Sequence, residues 1–233
     1  MKKVLIILLA LIILPLSACT QKKAAIENDQ QVTTVKKNKI SWKKQTNDLP
    51  IIKYNGSIEN QKSIANSMEN LTKNNQYVVK GTVYKLSRLD NIDNQAFTKV
   101  EFHVDEVIHG TKTLKNQNIN LAMSGGITTS NSWYKNKNQT READHDILVQ
   151  YRSCPLPKIG AEMIIGLNPT NVKESTNYMK TLKKNDFDLK KTFKIGMPEY
   201  NIWIKNPQDN KFHLNNPRVD SKLTKQINQN YNK

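Results

Sequence analysis

Tyr77-Val78-Val79-Lys80-Gly81-Thr82-Val83-Tyr84-Lys85-Leu86 is the stretch whose reading decides the fold. Val, Thr and Tyr dominate it, the residue types that fit a pleated, half-buried surface, and the period is two. Gly81 has no side chain to pack, which marks a bulge or bend in the strand. Ala96 to Ile108 repeats the pattern more cleanly. Val100, Phe102 and Val104 fall on one face; Lys99, Glu101, His103 and Asp105 fall on the other. That run ends in a turn at His109-Gly110, and a third short strand, Ile119 to Met123, is stopped by Ser124-Gly125-Gly126.

Working outward, Ile127 to Asp146 reads as a long polar insertion, with Ile147 to Tyr151 a strand at its edge. Loops of that length are uncommon unless they carry function or are mobile. A Pro–Gly turn, Pro157 to Gly160, feeds an apolar strand that stops at Asn168-Pro169. Tyr178 to Leu182 starts another strand. Tyr200 to Ile204 and Lys211 to Leu214 flank Asn206-Pro207-Gln208-Asp209-Asn210, a hairpin signal. On the N-terminal side, Ile58, Ile64, Ala65, Met68 and Leu71 recur at helical spacing, so Ser57 to Asn74 is expected as an amphipathic helix capped by Asn55 or Ser57. Residues 20 to about 50 are polar and show no sustained period, which predicts a disordered tether; Trp42 is its one large apolar residue and reads as dipping into the membrane interface or, more plainly, as loose. The tail from Asn215 is polar and is expected to end in a frayed helix. The fold class expected is mainly β (α+β), a small antiparallel barrel with one N-terminal amphipathic helix after a tether. The boundaries are 1–18 for a leader, 19–50 for the linker, 55–215 for the β-rich domain and 216–233 for the tail.

Two stretches carry family resemblances. Val79-x-Gly81-x-Val83, then Glu106-Val107-Ile108-His109-Gly110, then a short strand into Gly125-Gly126, then Lys158-x-Gly160-x-Glu162 resembles the small OB-like barrel domains of secreted Gram-positive proteins. The likeness covers residues 77 to 170. Such barrels bind oligomers across one face and its loops, and a fold likeness does not by itself transfer a function. The second stretch is residues 1 to 19. Lys2 and Lys3 precede an apolar run from Val4 to Leu14, Pro15 ends it, and Leu16-Ser17-Ala18-Cys19 follows. The run is about half the ~20 residues a spanning helix needs. The whole resembles a bacterial lipoprotein signal with its lipobox. That resemblance implies lipidation of Cys19 with cleavage before it, and a protein held on the outer face of a cell membrane of Gram-positive type.

Composition narrows the partners. Hydrophobic residues make up 37% of the 233 and mean hydropathy is -0.67, low for a fully packed chain. Net charge is +16, and without Lys2 and Lys3 34 basic residues still face 20 acidic ones. Outside a membrane such a surface meets anionic headgroups or anionic wall polymers, each Lys or Arg contributing on the order of 1 kcal/mol. The charges are scattered, so biased composition explains them as well. No nucleic-acid motif is present, and none is expected as a partner. With Cys19 lipidated, Cys154 is a lone thiol in Arg152-Ser153-Cys154-Pro155, expected inert and partly buried.

The best metal-ligand set is His103, Asp105 and His145. The first two share a strand face, and the third sits in Asp144-His145-Asp146 of the insertion. A solvated sheet face explains the same residues. Ser124-Gly125-Gly126 lacks the Gly-Lys-Ser/Thr of a phosphate loop, and no cofactor is expected. Trp133 and Tyr134 with Lys135 and Lys137 are the most site-like surface group, because aromatic faces stack on sugars and lysines attract phosphates. An aromatic pair tucking the loop onto the barrel is the plainer account. Three functional readings stay open. The favoured one is a membrane-anchored, non-enzymatic binding module for a wall polymer or a membrane protein. The others are a metal-dependent hydrolase of the envelope and an immunity or exclusion lipoprotein.

Overall fold

The computed structural model describes residues 30–55, 65–89, 93–135, 143–171 and 176–232. The chain forms two compact units, Met1–Lys37 and Asn38–Lys233. Of the first, residues 30–37 are described, and they are helical.

The second unit opens on helix α1 (38–46), then strand β1 (Ile51–Tyr54), helix α2 (Met68–Asn74) and strands β2 (Tyr77–Arg88), β3 (Phe97–His109) and β4 (Asn118–Ser124). Strand β5 (Gly126–Thr129), a single helical turn α3 (Ser130–Trp133) and strand β6 (Asp146–Tyr151) come next. Strand β7 (Glu162–Pro169), helix α4 (Asn177–Lys184), strand β8 (Thr192–Ile195), the pair β9 (Ile202–Asn206) and β10 (Lys211–Leu214), and helix α5 (Leu223–Tyr231) complete it.

Five strands close into a barrel in the order β7-β2-β3-β4-β8, with β8 returning to β7. The barrel is mixed rather than wholly antiparallel: β4 and β8 run parallel through Leu121 and Phe193. A parallel neighbour needs a long connection rather than a hairpin, and here residues 125–191, which include β5, β6, β7 and α4, lie between the two strands. A five-stranded barrel closed in this way is OB-like. Cross-strand partners share a face, so Val83, Phe102 and Ile119 point the same way, as do Val100, Leu121 and Phe193. These residues, with Val79, Val104, Met163 and Ile165, are buried and fill the interior. Gly81 sits at a register shift of β2 on β3, and a Cβ there would lie 2.0 Å from the His103 carbonyl oxygen. The bend read from the sequence is therefore a close approach that only glycine permits.

Outer layers cover most of the barrel. Helices α2 and α5 with β9 and β10 bury Leu71, Val78, Ile164, Trp203, Phe212, Leu223 and Ile227 in one cluster. Asn228 on α5 donates to the Phe212 carbonyl and accepts from the Phe212 N–H, both at 2.8 Å, which satisfies the free edge of β10. Helix α4 lays Met179 and Leu182 with Phe187 against Phe97 and Ala122 of β3 and β4. A separate three-stranded sheet, β1-β6-β5, packs Ala96, Trp133, Ile147 and Val149 together. The chain passes into it at Gly125-Gly126, both at positive φ, where a Cβ on Gly126 would meet Thr98 Oγ1 at 2.0 Å. Arg88 Nη1 ties the sheet to the barrel through both Asp146 oxygens, each at 2.8 Å.

Several elements differ from expectation. The helix expected over 57–74 begins at Met68, capped by Ser67, whose Oγ accepts from the Asn70 N–H at 3.2 Å; residues 56–64 lie outside the described residues. Ala65 is buried but not helical. The linker expected over 19–50 contains helix at 30–46. Trp42 on this helix is half-buried, and Asn38 Nδ2 donates to the Tyr84 carbonyl at 3.0 Å. The insertion expected over 127–146 supplies β5 and α3. Tyr178 to Leu182, expected as strand, is helix α4: Thr176 Oγ1 accepts from the Met179 N–H at 3.2 Å, and Met179 and Leu182 are buried three apart. The expected polar tail 216–233 contributes Leu223 and Ile227 to the core.

Candidate functional site

A cleft of about 1080 Å³ opens between α1, the β1–β6 ladder and the loop before β7. The first wall is one stripe of α1: Lys39, Trp42, Lys43 and Thr46, spaced i, i+3, i+4 and i+7. Residues at that spacing stand above one another on a helix. The second wall follows from strand alternation. Lys53 pairs in register with Gln150, and Leu148, Gln150 and Arg152 share that side of β6. The opposite side of β6 carries Ile147 and Val149, which are core. One strand therefore serves the core with one face and the cleft with the other. Pro155, Leu156, Pro157, Lys158 and Ile159 form the floor, and Pro217 and Arg218 close the rim.

Six lining residues are cationic: Lys39, Lys43, Lys53, Lys158, Arg152 and Arg218. All six are exposed, and among the described residues no acidic one lines the cleft. Since 20 of the chain's charged residues are acidic against 36 basic, six drawn at random would include about two carboxylates. Among the described residues none of the six meets a carboxylate; Arg218 Nη1 donates to the Asn55 carbonyl at 3.2 Å. Their charges add rather than cancel, and a concave wall focuses such a field on an incoming anion. The lining offers no His, Cys or Ser among the described residues. Thr46, its one hydroxyl besides Tyr151, donates back to the Trp42 carbonyl at 3.0 Å. The described lining is equipped to bind an anion.

The residues singled out from sequence take other places. Trp133 is 3% exposed and packs edge-to-face on Tyr54 at 5.5 Å, so it is core and not a stacking platform. Tyr134 packs beside it. Lys135 pairs with Asp93 at 2.6 Å, and Lys137 lies outside the described residues, as does Cys19. His103 and Asp105 do adjoin, with Nε2 to Oδ1 at 3.7 Å. Their neighbours complete a closed polar network: His103 Nδ1 donates to Asn118 Oδ1 at 2.7 Å, Thr82 Oγ1 donates to Asp105 Oδ2 at 3.0 Å, and the imidazole stacks on Tyr84 at 4.9 Å. Burial, then the Asp105 and Glu101 charges, pushes the Tyr84 hydroxyl up to about 12.

His145 does not join this pair. The adjacent Asp146 is tied to Arg88, which pairs with Thr98, five residues along β3 from His103 and so about 16 Å away. His145 Nδ1 donates to the Ala143 carbonyl at 2.8 Å instead, and Asp144 accepts from the Asn131 N–H at 2.9 Å at the start of α3. That bond, above all, holds the Asp144 carboxyl below its ordinary range. Among the described residues no three His, Cys, Asp or Glu gather as a metal site. Cys154 is 2% exposed, and burial pushes its thiol up to about 12, so it stays protonated and unreactive at neutral pH.

Sequence reasoning passed over the cleft. From sequence, Trp42 reads as a loose aromatic or as one dipping into the membrane interface, and Lys39 and Lys43 as scattered charge. The signal was available in Lys39-x-x-Trp42-Lys43-x-x-Thr46, which is the spacing of one helix face. No protein-family model, curated protein or solved structure matches the chain. Among the described residues no helix is long and apolar enough to cross a membrane.

Proposed function

We propose that the chain is a lipid-anchored, non-enzymatic binding module on the outer face of a Gram-positive-type cell membrane, and that its cleft takes an anionic polymer of the cell envelope. The observation that carries this reading is the cleft lined, among the described residues, by six cations and no acid. The lipobox-like Leu16 to Cys19 supports the location. Two or three acyl chains on Cys19 would hold firmly, since each buried CH₂ contributes about 0.8 kcal/mol. By chain length alone, Asn38 lies within about 70 Å of that anchor, so the cleft would work close to the membrane.

The test has two arms. Cys19→Ser is expected to move the protein from the membrane fraction to precursor or medium; a variant that still fractionates as mature, acylated protein refutes the anchor. Lys43→Glu with Arg152→Glu is expected to abolish retention on isolated envelopes while leaving thermal unfolding unchanged. Undiminished retention, or equal retention on envelopes stripped of their anionic groups, refutes the cleft.

A further inference from the structure

We infer that the cleft's ligand is a chain of phosphodiester-linked polyol or sugar units, held by both walls at once. This rests on the reading of the cleft as an anion site and goes on to say which anion. Four features of the cleft point to such a chain.

Size is the first. The cleft holds about 1080 Å³, at the top of the roughly 300–1,000 Å³ that a single small ligand occupies. Distribution of charge is the second. Lys39 and Lys43 stand one turn apart on α1, whereas Lys53 and Arg152 belong to the facing ladder and Arg218 to the rim. One phosphate satisfies two or three such donors, so engaging all six takes several anions in sequence. Third, the surface between the cations is apolar: Trp42, Tyr151, Leu148 and Leu156 line it. A bare mineral polyanion has nothing to offer these side chains. Polyol and sugar units between charges present C–H faces that pack on aromatic and aliphatic groups. The fourth feature is the mix of cations, four Lys to two Arg. Lysine meets a tetrahedral phosphate as a rotatable point charge, and the guanidinium fork pairs with two oxygens of a phosphate as it does with a carboxylate. A repeating phosphodiester therefore suits both kinds of cation, and the comparison with a polyuronate of equal charge is the test of that choice.

Every one of the six cations is exposed and hydrated, so each contact is weak by itself. Affinity must come from the number of contacts made by one chain. That makes length the decisive variable: linked groups gain about 10² to 10⁴ in avidity over isolated ones when the geometry allows simultaneous contact.

The experiment titrates the full-length chain, purified in detergent, with synthetic glycerol-phosphate oligomers of one, three and six repeats, and with oligogalacturonates of equal charge. Six repeats are expected to bind at least about a hundredfold tighter than one. The slope of log affinity on log salt is expected to steepen toward about −4, the value for six contacts on a flexible polyanion. Lys43→Glu on one wall and Arg152→Glu on the other should each weaken six-repeat binding by about tenfold or more, a shift that Lys211→Glu, on β10 away from the cleft, should not produce. Six repeats binding no tighter than one would leave a single-anion site and overturn the chain. Galacturonate binding as tightly as phosphate would overturn the phosphodiester and leave the anion cleft standing. Anionic phospholipid vesicles that bind through Lys43 and Arg152 and resist competition by the six-repeat oligomer would assign the cleft to a lipid headgroup, against this inference. Binding of none of these probes would overturn the cleft's function along with it.

Discussion

Trp133 and Trp42 each have a lysine within two residues in a polar stretch, and the fold uses them in opposite ways. Trp133 is 3% exposed, closed in by Ala96, Ile147 and Val149, with the Tyr54 ring edge-on to it. The neighbouring Lys135 points elsewhere, to Asp93. Trp42 is half-buried on the wall of an open cleft, and Lys39 and Lys43 flank it on the same helix stripe. Residues three and four apart on a helix share a side, whereas residues two apart do not. An aromatic with a lysine two residues on is thus a poor sign of a site. An aromatic flanked by lysines that stand four apart on one helix stripe is a better one.

The largest effect expected from this contrast is on stability. Trp133→Ala should cost about 3–5 kcal/mol, the range for emptying a buried aromatic site, read from urea unfolding. Where the variant remains folded, its affinity for anionic oligomers should match the wild type. A loss below about 1 kcal/mol would return Trp133 to the surface and reopen it as a ligand contact. Trp42→Ala is the counterpart. It should leave the unfolding midpoint nearly unchanged and lower oligomer affinity by about tenfold, as removal of one aromatic stacking contact does. If Trp42→Ala unfolds the domain instead, the helix wall is structural and the contrast fails. Smaller again is the effect at the two lysines. Lys43→Ala should reduce the salt slope by about 1. Lys135→Ala should change stability by no more than about 1 kcal/mol, because its ion pair is exposed, and should leave binding unaffected.

The same contrast explains what the sequence could reveal. Strands β2, β3, β4 and β7 were legible because a barrel wall imposes a period of two, and Val100, Phe102, Val104 and their neighbours keep it. Gly81 was legible as a bend because nothing else about that strand favours glycine. Helices α1 and α4 were not, since their sequences are mostly polar, and α5 was legible as a helix ending the tail but not as part of the core. Leu223 and Ile227 are a single i, i+4 pair in a polar tail, too little to distinguish core from fraying. The parallel β4–β8 pair depends on a crossover that no local pattern encodes. The cleft was the least legible part. Its six cations come from α1, β1, the residue after β6 and two loops, and only the fold shows that no described acidic residue joins them.

The His103 face of the barrel supplies the smallest and most discriminating prediction, because its charges are balanced where those of the cleft are not. Asp105 lies among His103, Thr82, Lys80 and Glu162, and burial raises its carboxyl above the ordinary 3.8, ahead of the opposing pull of the Thr82 hydrogen bond and His103. A carboxyl with a raised folded value holds its proton longer in the native state than in the unfolded chain. Stability must then fall as pH rises from the unfolded value through the folded one, and the deficit persists at neutral pH. Asp105→Asn keeps an acceptor for Thr82 and removes the titration. Its unfolding free energy relative to wild type should therefore climb as pH is raised from 3.5 to 6 and level off above that. Lys43→Ala, in a cleft with no carboxylate to titrate, should track the wild type across the same range. If the two variants show the same pH profile, burial of Asp105 does not govern its titration, and the distinction between a self-satisfied polar face and an unbalanced basic cleft loses its electrostatic footing.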